Sequence, residues 1–168
     1  MAQEYDVNVF RYLILNCPYN QVINWREELI QQALNHIQKI IKLLKKLNFY
    51  LYTKKINLSR KNFIATKVHS EVIQHLLNNL NTVKVLHLLE KTINLLNKSL
   101  DEKKNWEEFE TVVSDFHFIL DILGFKFALP PYDFSVKLLI KNWQIFQTNK
   151  QYNQADEIRS QLQKKGIL

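Results

Sequence analysis

The sequence predicts an all-α protein, namely an antiparallel helical bundle with a small C-terminal helical hairpin. Its 168 residues include only 2 glycines and 3 prolines, whereas proteins rich in β-turns need many more of both. Apolar residues recur at spacings of three and four along most of the chain, which is typical of helices that bury one face. Hydrophobic residues make up 46% of the sequence, and a chain of this length can bury a substantial core.

The first two helices are predicted from capping residues and apolar spacing. The first runs from Val7 to about Leu15 and ends before Pro18. The second follows Asn24, whose side chain can cap it, with Glu27 three residues later in a capping-box arrangement. Its apolar stripe consists of Ile30, Ala33, Leu34, Ile37, Ile40, Ile41, Leu44 and Leu47. Residues 49–63 are basic and aromatic without glycine or proline, so they either prolong this helix or form a loop.

Three more helices complete the predicted bundle. One begins at Thr66 and breaks near residues 78–81. The next is capped by Asn81 or Thr82, and its inward positions are Val85, Leu86, Leu89, Ile93 and Leu96. The last begins at Asn105 and ends at Gly124, a residue type favoured directly after a helix.

Two adjacent prolines at 130 and 131 mark the predicted domain boundary. We expect the bundle to occupy residues 1–127 and a smaller unit to occupy residues 128–168. The smaller unit contains two short predicted helices, about Phe134 to Thr148 and Asn153 to Lys164, and Gly166 closes the second one.

The positive charge of the chain is concentrated in one stretch. There are 23 lysines and arginines against 16 acidic residues, a net charge of +7, and no acidic residue lies between Glu28 and Glu71. Within that stretch the most clustered lysines are Lys39, Lys42, Lys45 and Lys46. Such a run is either a solvated helix face or a contact surface for an anionic partner, and the polarity of the whole chain favours the second interpretation.

No catalytic or metal-binding motif is found in the sequence. The five histidines lack metal-ligand spacing, the acidic pairs fall near helix N-termini or on polar faces, and 2 glycines exclude a glycine-rich phosphate loop. We therefore expect no cofactor, no metal and no small-molecule substrate. One cysteine fits a reducing cytoplasm, and no apolar stretch approaches the roughly 20 residues of a membrane span. A cytoplasmic monomer is the corresponding expectation.

Three stretches, taken in order, carry a resemblance to a known family. The first comprises Tyr5 to Leu15 with Tyr19, Asn24, Trp25 and Leu29, and the second comprises Asn81-Thr82 with Leu86, Asn97 and Ile122-Leu123-Gly124. The third runs from Lys150 to Arg159 and continues with Leu162 and Gly166-Ile167. It is similar to the signature K-x-aromatic-x-x-A-D-x-I-R-x-x-L-x-x-x-G-I. Together they resemble the C-terminal part of cysteinyl-tRNA synthetase.

The resemblance implies a tRNA-binding part that lacks the catalytic domain. In the family, the H-I-G-H tetrapeptide, the zinc ligands and the K-M-S-K-S loop precede this region, so ATP and zinc would belong there. In that family the helical bundle lies along the anticodon stem and the C-terminal unit reads the cysteine anticodon, so the resemblance implies these roles for residues 1–127 and 128–168. This sequence also departs from the family pattern, since Pro18 replaces a histidine and Trp143 and Gln147 replace two arginines.

Five residues of the C-terminal unit become candidate RNA contacts through the resemblance. Asp156 matches the acid that hydrogen-bonds the first anticodon base, and Tyr152 matches an aromatic residue that can stack a splayed base. Lys150 and Arg159 would hold phosphate or sugar, and Gln147 would do so without a charge. The structural alternatives are that Asp156 stabilises its own helix dipole and that Tyr152 packs against Ile158 or Leu162.

Two other functions stay open at this point. The chain could be a helical protein-interaction module with a basic surface. It could also be the C-terminal part of a synthetase-related cysteine ligase that uses no tRNA, although the pair of Tyr152 and Asp156 argues mildly against this.

Overall fold

The computed structural model describes residues 6–23, 25–56, 66–101 and 106–167. Within these ranges the chain forms helices and no strands, so the predicted all-α class is confirmed. The helices are α1 (Val7–Leu15), α2 (Glu27–Lys54), α3 (Lys67–Leu77), α4 (Thr82–Asp101), α5 (Trp106–Ile122), α6 (Phe134–Thr148) and α7 (Tyr152–Lys164). None of these helices is both long enough and apolar enough to cross a membrane.

The chain divides into two compact units. The first contains residues 1–41 and 58–127, and the second contains residues 42–57 and 128–168. Helix α2 therefore contributes residues 27–41 to the first unit and residues 42–54 to the second.

Side chains that accept backbone N–H groups fix the start of several helices. Asp6 caps α1, Thr66 caps α3, Asn81 caps α4 and Asp133 caps α6, with acceptor distances of 2.7–3.2 Å. Of the two residues proposed as the cap of α4, Asn81 makes the capping bond, and the Thr82 hydroxyl instead donates to the Leu15 carbonyl. Asn24 and Asn105, the expected caps of α2 and α5, lie outside the described residues.

Four helices end in the same Schellman turn, in which a left-handed residue follows the last turn. The left-handed residues are Lys55 after α2, Gly124 after α5, Lys150 after α6 and Gly166 after α7. Gly124 confirms the predicted end of α5. The undecided segment from residue 49 prolongs α2 as far as Lys54, and residues 57–65 lie outside the described ranges.

Apolar side chains from α1, α3, α4, α5 and residues 27–41 of α2 form the core of the first unit. Its fully buried members include Val9, Ile40, Val72, Val85, Leu89, Leu96, Phe116 and Ile119. A polar group lies beside this core, where the Tyr12 ring stacks on His36 at 4.8 Å and His36 contacts the Glu90 carboxylate. Burial, followed by the charge of Glu90, raises the pKa of Tyr12 to about 12.

A second buried polar group joins α3 to α5. The Thr66 N–H donates to His69 Nδ1 (3.2 Å) while the Thr66 hydroxyl donates to Asp115 Oδ1 (2.6 Å). Because Nδ1 accepts a hydrogen bond, the neutral ring carries its proton on Nε2, which lies 3.4 Å from the same carboxylate oxygen. The capping box of α3 therefore uses a histidine where glutamate or glutamine is usual.

The stability of the first unit is expected to depend on the ionisation of Asp115. Burial raises the pKa of this carboxyl above its usual value, although the Thr66 hydrogen bond and the nearby His69 lower it. The folded state then holds the proton more tightly than the unfolded chain, so the free energy of unfolding falls as pH rises through the raised pKa. Asp115→Asn keeps an acceptor for Thr66 and should abolish this decline.

Urea unfolding between pH 4 and pH 7 would check this, since the difference in stability between the two proteins should move in favour of the variant as pH rises. A difference that stays constant over this range would contradict the account.

The second unit has its own core. Phe49, Val136, Ile140, Ile158 and Leu162 are buried together, and Tyr132, Leu139, Trp143, Phe146 and Ile167 pack around them. The Phe49 and Trp143 rings meet edge to face at 5.5 Å, which ties α6 to the second half of α2.

Candidate nucleic-acid interface

The turn between α6 and α7 holds its backbone in a defined conformation. The Lys150 N–H donates to the Gln147 carbonyl (3.2 Å) and the Gln151 N–H donates to the Phe146 carbonyl (2.9 Å). Lys150 has a φ of 59°, in the region that normally favours glycine. Helix α7 begins at Tyr152, one residue earlier than predicted. The turn therefore leads directly into Tyr152, the candidate residue for stacking a base.

Helix α7 separates a buried face from an exposed polar face. Its buried residues are Ala155, Ile158 and Leu162. At 100° per residue, Tyr152, Asp156 and Arg159 fall within about 60° of one another on the helix. All three are exposed, so the structure brings these candidate residues together on one surface.

The contacts of Tyr152 and Asp156 argue against the structural alternatives for both residues. The Tyr152 side chain is 63% exposed, so it does not pack into the core with Ile158 or Leu162. Asp156 is the fifth residue of α7, beyond the first turn in which the helix dipole acts strongly on a charge. Within the described ranges, the side chains of Asp156 and Arg159 make no hydrogen bond or ion pair.

The two positions where the resembled family has arginines have different environments. Trp143 packs against Phe49 in the core of the second unit, so its ring contributes to folding. Gln147 is exposed in the last turn of α6, close in sequence to Lys150. Its contact with RNA stays a prediction.

The four candidate lysines of α2 differ in how exposed their side chains are and in which of the two compact units they belong to. Lys39 lies in the first unit and is exposed, whereas Lys42, also exposed, lies in the second. Lys45 and Lys46 are partly buried, and Lys46 takes part in a further interaction. Lys45 Nζ lies 3.4 Å from the position that a Cβ on Gly166 would occupy, beside the C-terminal turn of α7.

One residue that belongs with these candidates was not singled out from the sequence. Gln163 is exposed on the same face of α7, seven residues beyond Asp156, and helical spacing from that acid could have identified it. Lys55, at the end of α2, has the same left-handed backbone conformation as Lys150 but is not a candidate contact.

The described part of the chain contains no group of three or more histidine, cysteine or acidic side chains that could hold a metal ion. Its helices, net charge of +7 and exposed polar face define a basic, all-helical protein made of two compact units.

Comparisons with known proteins show which proteins this chain is similar to. The chain is 30% identical over 167 residues to a cysteine–tRNA ligase of Mycoplasma mycoides, covering 99% of this chain and 37% of that protein. It is 32% identical over 166 residues to the corresponding ligase of Mesoplasma florum, covering 98% of this chain and 37% of that protein. It is 31% identical over 168 residues to the ligase of Ureaplasma parvum, covering 100% of this chain and 38% of that protein. No family model matches the chain, and no solved structure matches it.

The chain is therefore related, over nearly its whole length, to cysteine–tRNA ligases, and the predicted resemblance is confirmed. It spans little more than a third of the length of these curated relatives.

Proposed function

We propose that the chain binds tRNA, with cysteine tRNA as the cognate species, as the non-catalytic C-terminal part of a cysteine–tRNA ligase in cytoplasmic protein synthesis. The relation to these ligases supports a role connected with tRNA. The observation that carries the proposal is the exposed face of Tyr152, Asp156 and Arg159 on α7, next to the fixed turn at Lys150.

This face offers the chemistry needed to read an unpaired anticodon. The exposed Tyr152 ring can stack a splayed base, and one helical turn away Asp156 can accept hydrogen bonds from the N1 and N2 groups of a guanine. Lys150 and Arg159 flank these two residues and can hold phosphate or sugar, which fixes register without specifying sequence.

Lysines of α2 can supply contacts to the phosphates of the anticodon stem. Lys39 and Lys42 are exposed, so their ammonium groups can approach an anionic backbone. Lys45 lies beside the C-terminal turn of α7, where a cation also stabilises the helix end. Gln147 can add a hydrogen bond but no charge.

The proposal is tested by changing the residue that would read the base. Asp156→Ala should reduce the preference for cysteine tRNA over an anticodon-changed tRNA by roughly ten- to one-hundred-fold, since a bidentate base contact contributes about 1–3 kcal/mol. Filter binding or fluorescence anisotropy with both transcripts measures this ratio. Glu157→Ala is the matched control, because it removes an exposed acid from another side of the same helix.

An equal loss of affinity for both transcripts in Asp156→Ala would show that the carboxylate does not read the anticodon.

Lys150→Gly is expected to stabilise the protein while weakening tRNA binding. A residue with a Cβ in the left-handed region costs about 1–2 kcal/mol, more than the roughly 0.5–1 kcal/mol that glycine loses in conformational entropy. The free energy of unfolding should therefore rise by up to about 1 kcal/mol. Loss of one phosphate contact should lower the slope of log affinity against log salt by about one.

Lys55→Gly is the control for this experiment, since Lys55 has a φ of 54° in the equivalent turn after α2. It should give a similar gain in stability with a smaller effect on tRNA. Equal effects of the two variants on tRNA affinity would contradict the role of Lys150.

A further inference from the structure

The outward face of helix α6 carries apolar side chains that the second unit does not bury. Val136 and Ile140 lie in the core of this unit. On the other side of the helix Phe134, Leu138 and Ile145 are 82%, 47% and 44% exposed. At 100° per residue these three side chains fall within about 40° of one another, so they form one stripe. A helix face in contact with water normally carries polar residues instead.

The spacing of this stripe is that of a coiled-coil contact. Four residues follow one another at intervals of four, three and four, which correspond to alternating d and a positions of a heptad. These four are Phe134, Leu138, Lys141 and Ile145. In the same register Lys137 takes a g position, directly beside them. We call these five residues the α6 seam.

The α6 seam is cationic. Lys141 lies within the apolar stripe and Lys137 borders it, and both are exposed. Asp133 is the only acid from residue 128 to residue 155. Its carboxylate already accepts hydrogen bonds from the Val136 N–H (2.7 Å) and the Ser135 hydroxyl (2.8 Å). Within the described ranges the side chains of the two lysines make no ion pair, so their charges are available to a partner.

Helix α6 is held in place without a partner. The Asp133 carboxylate caps its first turn, and the turn at Lys150 ends it. Val136 and Ile140 anchor the opposite face in the core of the second unit. Because the seam is ordered in advance, docking onto it would not incur the entropic cost of forming the helix.

The two lysines decide which occupant the seam fits. A second copy of the chain would bring the lysines of two α6 helices close together, and like charges oppose such a pairing. A lipid surface would place Lys141 among the acyl chains, because this lysine lies within the stripe and not at its edge. A phosphate backbone would pair with the lysines but leave Leu138 and Ile145 in water.

We propose that the α6 seam docks an amphipathic helix of a partner protein, one whose apolar residues repeat as heptads and whose flanking residues are acidic. Apolar side chains of that helix cover the exposed stripe, and its carboxylates pair with Lys137 and Lys141. A lysine inside an otherwise apolar contact selects a partner with an acid at the facing position over an uncharged one. The inference does not depend on tRNA binding, because no residue of the seam is a candidate tRNA contact.

Two synthetic peptides of about three heptads provide the test. Both carry leucine at positions a and d, and they differ only at positions e and g, where one has glutamate and the other lysine. Calorimetric titration of the full chain with each peptide, at low and at high salt, measures binding. The acidic peptide is expected to bind at least about tenfold more tightly than the basic one, and the difference should narrow as salt increases.

Two variants place the binding on the seam. Lys141→Glu should reverse the preference, because a carboxylate at this position repels glutamate and pairs with lysine. Phe134→Asp should weaken binding of the acidic peptide at least about tenfold. Both positions are exposed, so the urea unfolding midpoints should stay close to that of the unchanged chain. Lys164→Glu is the matched control, since it makes the same change of charge at an exposed position of α7 and should leave the preference intact.

Equal binding of the two peptides, no binding of either, or a preference that Lys141→Glu leaves unchanged would overturn the proposal. So would a dimer of the free chain that Phe134→Asp dissociates, which would assign the seam to a second copy. Binding to vesicles of anionic phospholipid that Phe134→Asp abolishes would assign it to a membrane, and a loss of tRNA affinity in this variant would assign it to RNA. The Asp156→Ala experiment reports on tRNA alone, so the two proposals fail separately.

Discussion

Alanine in place of Tyr152 is expected to weaken the binding of cysteine tRNA by roughly ten- to one-hundred-fold. Stacking of a base on an aromatic side chain contributes about 1–3 kcal/mol, and the Tyr152 ring is 63% exposed at the first position of α7. Because the ring does not belong to the buried core of the second unit, the free energy of unfolding should change by less than about 0.5 kcal/mol.

Two variants separate stacking from other causes. Tyr152→Phe keeps the ring and should retain most of the affinity. Phe134→Ala removes a still more exposed ring from the same unit and should have little effect on tRNA. Anisotropy titrations of the three variants measure the difference, and similar losses in Tyr152→Ala and Phe134→Ala would show that Tyr152 has no particular contact with a base.

Leu162→Ala is expected to have the largest effect on stability in the second unit. Leu162 is fully buried among Phe49, Val136, Ile140 and Ile158, so its truncation leaves a cavity in a small core. The expected cost is about 2–5 kcal/mol. Since Leu162 holds α7 in this core, the face that carries Tyr152 and Asp156 should lose its order, and discrimination between anticodons should disappear with it.

Urea unfolding and amide hydrogen exchange of residues 152–164 measure this effect. Leu138→Ala is the matched control, because Leu138 lies on α6 of the same unit but is 47% exposed, and it should cost less than about 1 kcal/mol. Equal costs for the two leucines would contradict the assigned core.

Helix positions were largely predictable from the sequence because they depend on local spacing and capping. The pattern gave α1 and α6 their observed bounds and placed the turn after α3. It left the end of α2 open because that helix ends with Lys55 in a left-handed conformation, which glycine would have signalled and lysine does not.

Contacts between distant residues were not predictable in this way. No local pattern indicates that His69 is 2% exposed and lies beside Asp115, 46 positions away. Trp143 occupies a position where an arginine was expected, and only the fold shows that it packs against Phe49. The shared face of Tyr152, Asp156 and Arg159 could be derived from helical spacing, but their exposure required the packing of α7 to be known.

Binding of tRNA and reading of its anticodon can both be measured in one set of titrations. Dissociation constants are measured for cysteine tRNA, for the same transcript with a changed anticodon, and for duplex DNA, at about 50 mM and about 200 mM salt. We expect cysteine tRNA to bind most tightly and duplex DNA least, with affinity falling steeply as salt increases. Equal binding of tRNA and duplex DNA, or affinities that do not change with salt, would show that the chain is not a specific tRNA-binding protein.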